Sequence, residues 1–334
     1  MMAERPHILL ILTDQQRGDC LGLAGHPVLR TPHMDFIGGT GTHFRRGYSE
    51  APTCVPARRS IMSGQAPAVH GMVGMTGADW DPEHTLAGEL TKAGYQSEMI
   101  GKLHLRPARK RYGFERLQVA NSTRGAPNDY LDWLNGPGPQ DRWGMAHGAT
   151  PNGWIGRASH LPETQTHAFW VASRAIEFLD KRDPEAPFFL NISFIDPHPP
   201  FTPPQFFYDR YINEDLPRPV IGDWAPTFDA PTTGSDPETM LNRRARLDDQ
   251  TMRYTRAAYF GLISHVDAQL GRLFQYMRDR RLLDNTFILF AADHGEMLGD
   301  HHMWSKSRPF EGSAHIPYMA RAPRSLSLTS RALP

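Results

Sequence analysis

The sequence predicts an α/β fold: a mainly parallel central sheet with helices on both faces. Three observations lead there. A continuous apolar run covers 8–13, and similar strand-like segments recur at 97–101, 188–194, 286–292 and 316–321, as expected of a sheet buried on both sides. Amphipathic helical segments alternate with them, as strand-crossover-strand units require. Several of the runs pass directly into polar or ionisable residues, and in open α/β sheets the carboxyl ends of the strands are where ligands bind.

The first run, Ile8-Leu9-Leu10-Ile11-Leu12-Thr13, ends in Asp14-Gln15-Gln16. A helix is expected over 32–39, opened by Pro32 and closed by Gly39. The next covers 54–64: Pro56 fits a first turn, where a missing N–H costs nothing, and Gly64 fits the end. Helices are also expected over 84–93 and 166–181. The longest spans 252–282, with Tyr259, Ile263, Val266, Leu270, Leu273, Phe274 and Met277 at three- and four-residue spacing. Residues 106–163 and 199–237, rich in Gly, Pro, Asn and aromatic residues, read as long loops that set specificity on a rigid scaffold. Trp133, Trp143 and Trp154 within the first are loop anchors or the lining of an apolar pocket.

The chain has 334 residues with 36 basic and 36 acidic side chains. That balance argues against a general partner such as nucleic acid or an anionic membrane, both of which select a basic patch. Two cysteines, Cys20 and Cys54, give no disulfide framework and suit a reducing compartment, so a cytoplasmic location is expected. The apolar run at 8–12 is too short for a signal peptide, and no run reaches the length of a membrane span.

Candidate chemistry concentrates at the ends of the strands. In Cys54-Val55-Pro56-Ala57-Arg58 the cysteine falls at a helix N-terminus, where free N–H groups and the helix dipole favour negative charge, and Arg58 adds a cation one turn on. A thiol so placed is activated; the competing reading is a buried thiol beside a solvated arginine. Asp14-Gln15 and Asp293-His294 follow the first and fourth runs. Singly, such pairs act as caps or hydrogen-bonded turns. Together, beside an anion-binding cysteine, they form an oxygen- and nitrogen-rich site for a hard cation of the calcium or magnesium type. Lys102 and His104 follow the second run, His198 the third, and Lys306 lies shortly after Asp293. Four cationic or proton-carrying groups there suit an anionic ester whose charge is neutralised while a leaving oxygen is protonated.

The segments Ile11-Leu12-Thr13-Asp14-Gln15, 54–64, Gly94-Tyr95 through Gly101-Lys102-Leu103-His104-Leu105, Asp196-Pro197-His198 and Ala292-Asp293-His294-Gly295-Glu296 through Lys306 resemble, in order and spacing, the type I sulfatases of the alkaline phosphatase superfamily. The resemblance implies an alkaline-phosphatase-like α/β/α sandwich over 1–322. It also implies conversion of Cys54 to formylglycine by a formylglycine-generating enzyme, and cleavage of a small-molecule or saccharide sulfate ester. A metal, usually calcium with magnesium or manganese as alternatives, is then held by Asp14, Gln15, Asp293, His294 and an oxygen of the modified Cys54. In that scheme Arg58 and Lys102 hold the aldehyde hydrate and the developing charge. His198, helped by Lys306, protonates the departing alcohol, and His104 removes the proton that allows sulfate to leave and the aldehyde to re-form.

Many sulfatases carry a second aspartate where this chain has Gln15 and an asparagine where it has His294. Those choices also resemble phosphonate monoester hydrolases and choline-sulfatase-like members, so a phosphonate monoester or phosphodiester hydrolase is the alternative within the enzyme class. In the family a further helix and a smaller antiparallel subdomain follow the last strand, whereas here 323–334 forms an irregular tail. The expectation is therefore a C-terminal subdomain largely missing, with an inactive, anion-binding fragment as the reading from a second class. Metal-dependent turnover discriminates the two.

Overall fold

The computed structural model describes residues 5–75, 77–121, 127–136, 152–225, 244–323 and 326. Strand β1 (His7–Thr13) is the apolar run expected at the N-terminus and lies near the middle of a seven-stranded sheet. With β2 (Thr42–His43), β3 (Gln96–Gly101), β4 (Arg116–Val119), β5 (Phe188–Phe194), β6 (Thr286–Ala292) and β7 (Tyr318–Arg321), the order is β2-β7-β6-β1-β5-β3-β4. β1 pairs in parallel with β5 on one side and β6 on the other; β7 runs antiparallel to both its neighbours.

Alternate residues of β1 feed two separate cores, which is why the run has no polar face. Leu9 and Ile11 join Val171, Phe178, Ile263 and Leu270 in the larger cluster. Leu10 and Leu12 join Met62, Ala87 and Phe189 in the smaller one. The first cluster is covered by α1 (Pro32–Gly39), α6 (His167–Lys181) and α8 (Asp249–Asp279), the second by α2 (Cys54–Ser63) and α4 (Leu86–Lys92). The result is the three-layer α/β/α arrangement expected from the sequence.

Capping residues account for the small differences in helix bounds. Thr85, Thr166 and Asp248 each accept a backbone N–H from their helix's first turn, at Gly88, Phe169 and Thr251, so α4, α6 and α8 begin one residue after them. α8 therefore starts three residues before the expected 252 and stops three before the expected 282. The last strand begins at Tyr318 rather than 316.

Two loop assignments need correction. Residues 106–163 contain β4 and α5 (Asp129–Asn135), and 199–237 contain α7 (Gln205–Ile212). β4 is an edge strand of four residues paired only to β3, too short to register as a periodic run. α7 follows Pro204, and the surrounding proline-rich composition masks it. A short helix, α3 (Pro67–His70), follows α2 and precedes both segments, and a last one, α9 (Glu311–Ala314), precedes β7. Trp154 packs against the larger core and Trp304, with ring centroids 6.4 Å apart, and Trp133 stacks on Tyr130. Both act as anchors. Trp143 and, apart from 323 and 326, the expected tail 323–334 lie outside the described residues. Among the described residues no helix is long and apolar enough to cross a membrane.

Candidate active site

The strand ends of β1, β3, β5 and β6 bring the expected residues to one edge of the sheet, and α2 brings Cys54 to meet them. Thr53 precedes α2 in an extended conformation and its carbonyl accepts the first helical bond from Ala57 N at 3.1 Å, so Cys54 occupies the first helical position with unpaired N–H groups around it. Gly64, at φ 69°, closes the helix as expected. Gly101 ends β3 at φ 108°, and a Cβ there would lie 2.0 Å from Ser193 O. Only glycine lets the chain turn at that point to send Lys102 into the site.

Cys54 is 1% exposed. Its Sγ lies 3.0 Å from Lys306 Nζ, 3.1 Å from His294 Nε2, 3.7 Å from Asp14 Oδ1 and 3.9 Å from Lys102 Nζ. Lys102 Nζ donates to Asp14 Oδ2. Arg58 is fixed by three bonds: Nε to Asp293 Oδ2 at 2.8 Å, Nη1 to Ser193 Oγ at 2.9 Å, and Nη1 to the carbonyl of Lys102. Its Nη2 lies 3.8 Å from Asp14 Oδ2 and has no hydrogen-bond partner, a spare donor directed along the same carboxylate.

The electrostatics follow from burial opposed by these neighbours. Burial is the largest influence on Cys54 and Asp14 adds to it, yet Lys102, Lys306 and His294 outweigh both and hold the thiol well below its usual range. Asp14 is likewise held well below the carboxylate range, against burial, by Lys102, His198, Lys306 and His294. His294 is raised: burial works against its charged form, but Asp293 and Cys54 prevail. His198 is pushed well down by burial and Lys306, and His104 is pushed down by burial and Lys102. Both rings are therefore neutral near pH 7 in this state.

One ligand atom from each of Asp14, Cys54, Asp293 and His294 lies within 4.8 Å of every other, and all four residues are buried. His294 Nδ1 faces the carbonyl of Gly295 at 2.9 Å, which turns Nε2 toward Asp14 Oδ1 at 3.4 Å and Asp293 Oδ1 at 3.6 Å. Carboxylate, imidazole and sulfur lone pairs thus converge, and an outer carbonyl fixes the ring, the arrangement of a histidine ligand with its second-layer partner. This donor set fits a divalent cation. Gln15 stands beside the four: its Oε1 accepts from Lys306 Nζ at 2.9 Å.

The sulfatase family model matches residues 6–331. The chain belongs to the sulfatase family. As a sulfatase it is a sulfuric ester hydrolase. It is 36% identical to an arylsulfatase of Clostridium perfringens over 96% of this chain and 69% of the relative, and 28% identical to a choline-sulfatase of Rhizobium meliloti over 97% and 64%. Among solved structures it is similar to the phosphonate monoester hydrolase of Agrobacterium radiobacter, with a TM-score of 0.79 and 29% identity over 96% of this chain and 68% of that one. This sulfatase chain thus spans about two thirds of the length of these relatives.

The structure brings Asp14, Gln15, Cys54, Arg58, Lys102, Asp293, His294 and Lys306 into direct mutual contact. His198 and His104 border them: His198 lies within electrostatic reach of Lys306, Asp14, Lys102 and Cys54, and His104 within reach of Lys102, Cys54 and Arg58, its Nδ1 buried and without a partner. His198 Nδ1 faces Pro199 O at 2.7 Å, which leaves Nε2 for the site. Residues without any sequence-based assignment also take part. Ser193 holds Arg58, Tyr259 Oη donates to Gln15 O at 2.8 Å, and Glu296 receives Gln15 Nε2. Tyr259 was read only as part of an apolar helix face, and nothing in a lone sequence separates a tyrosine that packs from one that also ties down a strand end.

Proposed function

We propose that this sulfatase cleaves sulfate esters of small alcohols or saccharides through a formylglycine derived from Cys54, made by a formylglycine-generating enzyme. In this reading Asp14, Gln15, Asp293 and His294 hold a divalent ion, calcium by preference. The observation that carries it is the placement of Cys54 Sγ at a helix N-terminus, 3.0 Å from Lys306 Nζ and 3.1 Å from His294 Nε2, beside Asp14. Two free cysteines suit a reducing compartment, and we assign the protein to the cytoplasm.

The aldehyde supplies a hydrate hydroxyl as nucleophile, and the ion supplies positive charge for ionising it and polarising the sulfuryl oxygens. The rest falls to side chains. Arg58, immobilised by Asp293 and Ser193, and Lys102, paired with Asp14, orient the hydrate and offset charge on the transferring group. Lys306 neutralises the oxygen side of the ester. His198 delivers a proton to the departing alcohol oxygen as the S–O bond breaks. Because Lys306 and burial keep His198 neutral in the free site, an arriving anionic ester is what raises its affinity for that proton. His104, also neutral, accepts a proton when sulfate is released.

Turnover of an aryl sulfate, an aryl phosphonate monoester and an aryl phosphodiester, measured side by side, tests the substrate class. The sulfate is expected to give the highest kcat/KM; a higher value for the phosphonate overturns the reading in favour of the alternative. Across a series of aryl and alkyl sulfates, His198→Ala is expected to harm esters of poorly leaving alcohols far more than activated aryl esters, since an acidic phenol departs with little help. His104→Ala is expected to slow all substrates alike. Equal dependence of both variants on leaving-group pKa shows the two roles to be wrong.

A further inference from the structure

The carboxyl group of Glu296 is buried, 1% exposed, and accepts hydrogen bonds from two backbone N–H groups and one side-chain amide. Oε1 accepts from Leu298 N at 3.0 Å and from Ser305 N; Oε2 accepts from Gln15 Nε2. The other end of the Gln15 amide, Oε1, accepts from Lys306 Nζ, which in turn lies 3.0 Å from Cys54 Sγ. A side-chain amide has one donating end and one accepting end, and which faces where is decided by its partners. We propose that Glu296 is a positioning residue for the Cys54 centre: it turns the Gln15 amide so that its oxygen faces Lys306, and it holds the backbone turn at Ser305 from which Lys306 reaches Cys54.

The chemistry of the contact makes the assignment specific. A carboxylate can accept at both oxygens, so it receives two backbone N–H groups on one and the glutamine NH2 on the other. A glutamine at 296 would keep its Oε1 on Leu298 N and Ser305 N and present NH2 where Oε2 stood. Two NH2 groups would then face each other, and Gln15 would rotate to place its own NH2 against the ammonium of Lys306. The oxygen lost from the site side is the one that Lys306, and the ion proposed there, would meet. Glu296 touches neither Cys54 nor the reacting atoms, so it acts through Gln15 and Lys306. The inference rests on the reading of Cys54 as the reaction centre for its kinetic consequence, and on the hydrogen bonds alone for the orientation of Gln15.

The test is a cycle of Glu296→Gln, Gln15→Glu and both together. Each single variant sets two donors or two carboxylates face to face, and each is expected to unfold at a lower temperature than the wild type. The double variant, with the pair reversed, is expected to recover most of that loss. With an aryl sulfate, Glu296→Gln is expected to lower kcat about 10- to 100-fold, the usual range for a group that orients a site ligand, with KM changed less than about threefold. Reversal in the double variant is expected to restore most of kcat. In chelated protein, calcium alone is expected to raise the unfolding temperature of Glu296→Gln only at higher concentrations than wild type needs. Additive effects of the two substitutions on unfolding temperature, or a Glu296→Gln enzyme with wild-type kcat, overturn the proposal. A wild type inactive on every sulfate ester, with the cycle still non-additive, counts against the hydrolase reading and supports the orientation of Gln15.

Discussion

Cys54→Ala is expected to reduce kcat/KM on an aryl sulfate by roughly 10³-fold or more, the scale seen when a covalent nucleophile is removed. The loss is chemical and not structural. One sulfur atom leaves a small void, Lys306 Nζ keeps Gln15 Oε1 as an acceptor at 2.9 Å, and the helix start depends on Thr53 and Pro56, which are untouched. Circular dichroism and the cooperativity of unfolding are therefore expected to match the wild type. Mass spectrometry of the peptide containing residue 54 separates the two meanings of this position: active protein should carry the aldehyde, and full activity with an intact thiol would sink the formylglycine assignment. Cys54→Ser should be nearly as inactive unless the expression host oxidises serine at that position.

Comparable losses are expected for Asp14→Asn and Asp293→Asn, together with loss of wild-type activity on exhaustive chelation and its return with calcium. Asparagine is the informative replacement, for a reason visible in the contacts. Asp14 is the anionic partner of Lys102, and Asp293 that of Arg58, with all four side chains buried. Alanine would leave a buried cation with neither counter-charge nor acceptor at that position, which costs about 3–5 kcal/mol, so a dead alanine variant would not separate lost chemistry from lost fold. Asparagine retains an oxygen and the volume while removing the charge that a divalent ion needs. Activity unchanged by chelation, or either asparagine variant with wild-type turnover, counts decisively against the ion site.

Much of this was legible in the chain. The segments at 188–194 and 286–292 coincide with β5 and β6, because a strand buried on both faces is predominantly apolar on both, with only Asn191 and Ser193 interrupting the first and Thr286 opening the second. The Cys54 helix was legible from Pro56 and Gly64, two residues whose backbone preferences are strong enough to act without context. The residues at the strand ends could be paired as a site because a parallel sheet collects successive carboxyl ends on one edge. β4, β2 and α5 were not legible: each is short and stabilised by what it packs on. The same holds within the site. Glu296 sits in a recognisable Asp293-His294-Gly295-Glu296 run, yet its partner Gln15 lies 281 residues away in sequence, and no local pattern encodes that meeting.

The strand order also sets a clock. β1 is made first, yet its neighbours β5 and β6 are separated from it by most of the chain, and β6 begins at Thr286. During synthesis the sheet cannot close around Cys54 until about 230 further residues have followed it, which at about 5–20 residues per second takes roughly 10–50 s. Once closed, the thiol is out of reach of any other protein. Topology thus gives the modification proposed for Cys54 an interval of tens of seconds, and a slowly translated message would lengthen it. On that proposal, the fraction of aldehyde in the purified protein records the race between translation and the modifying enzyme.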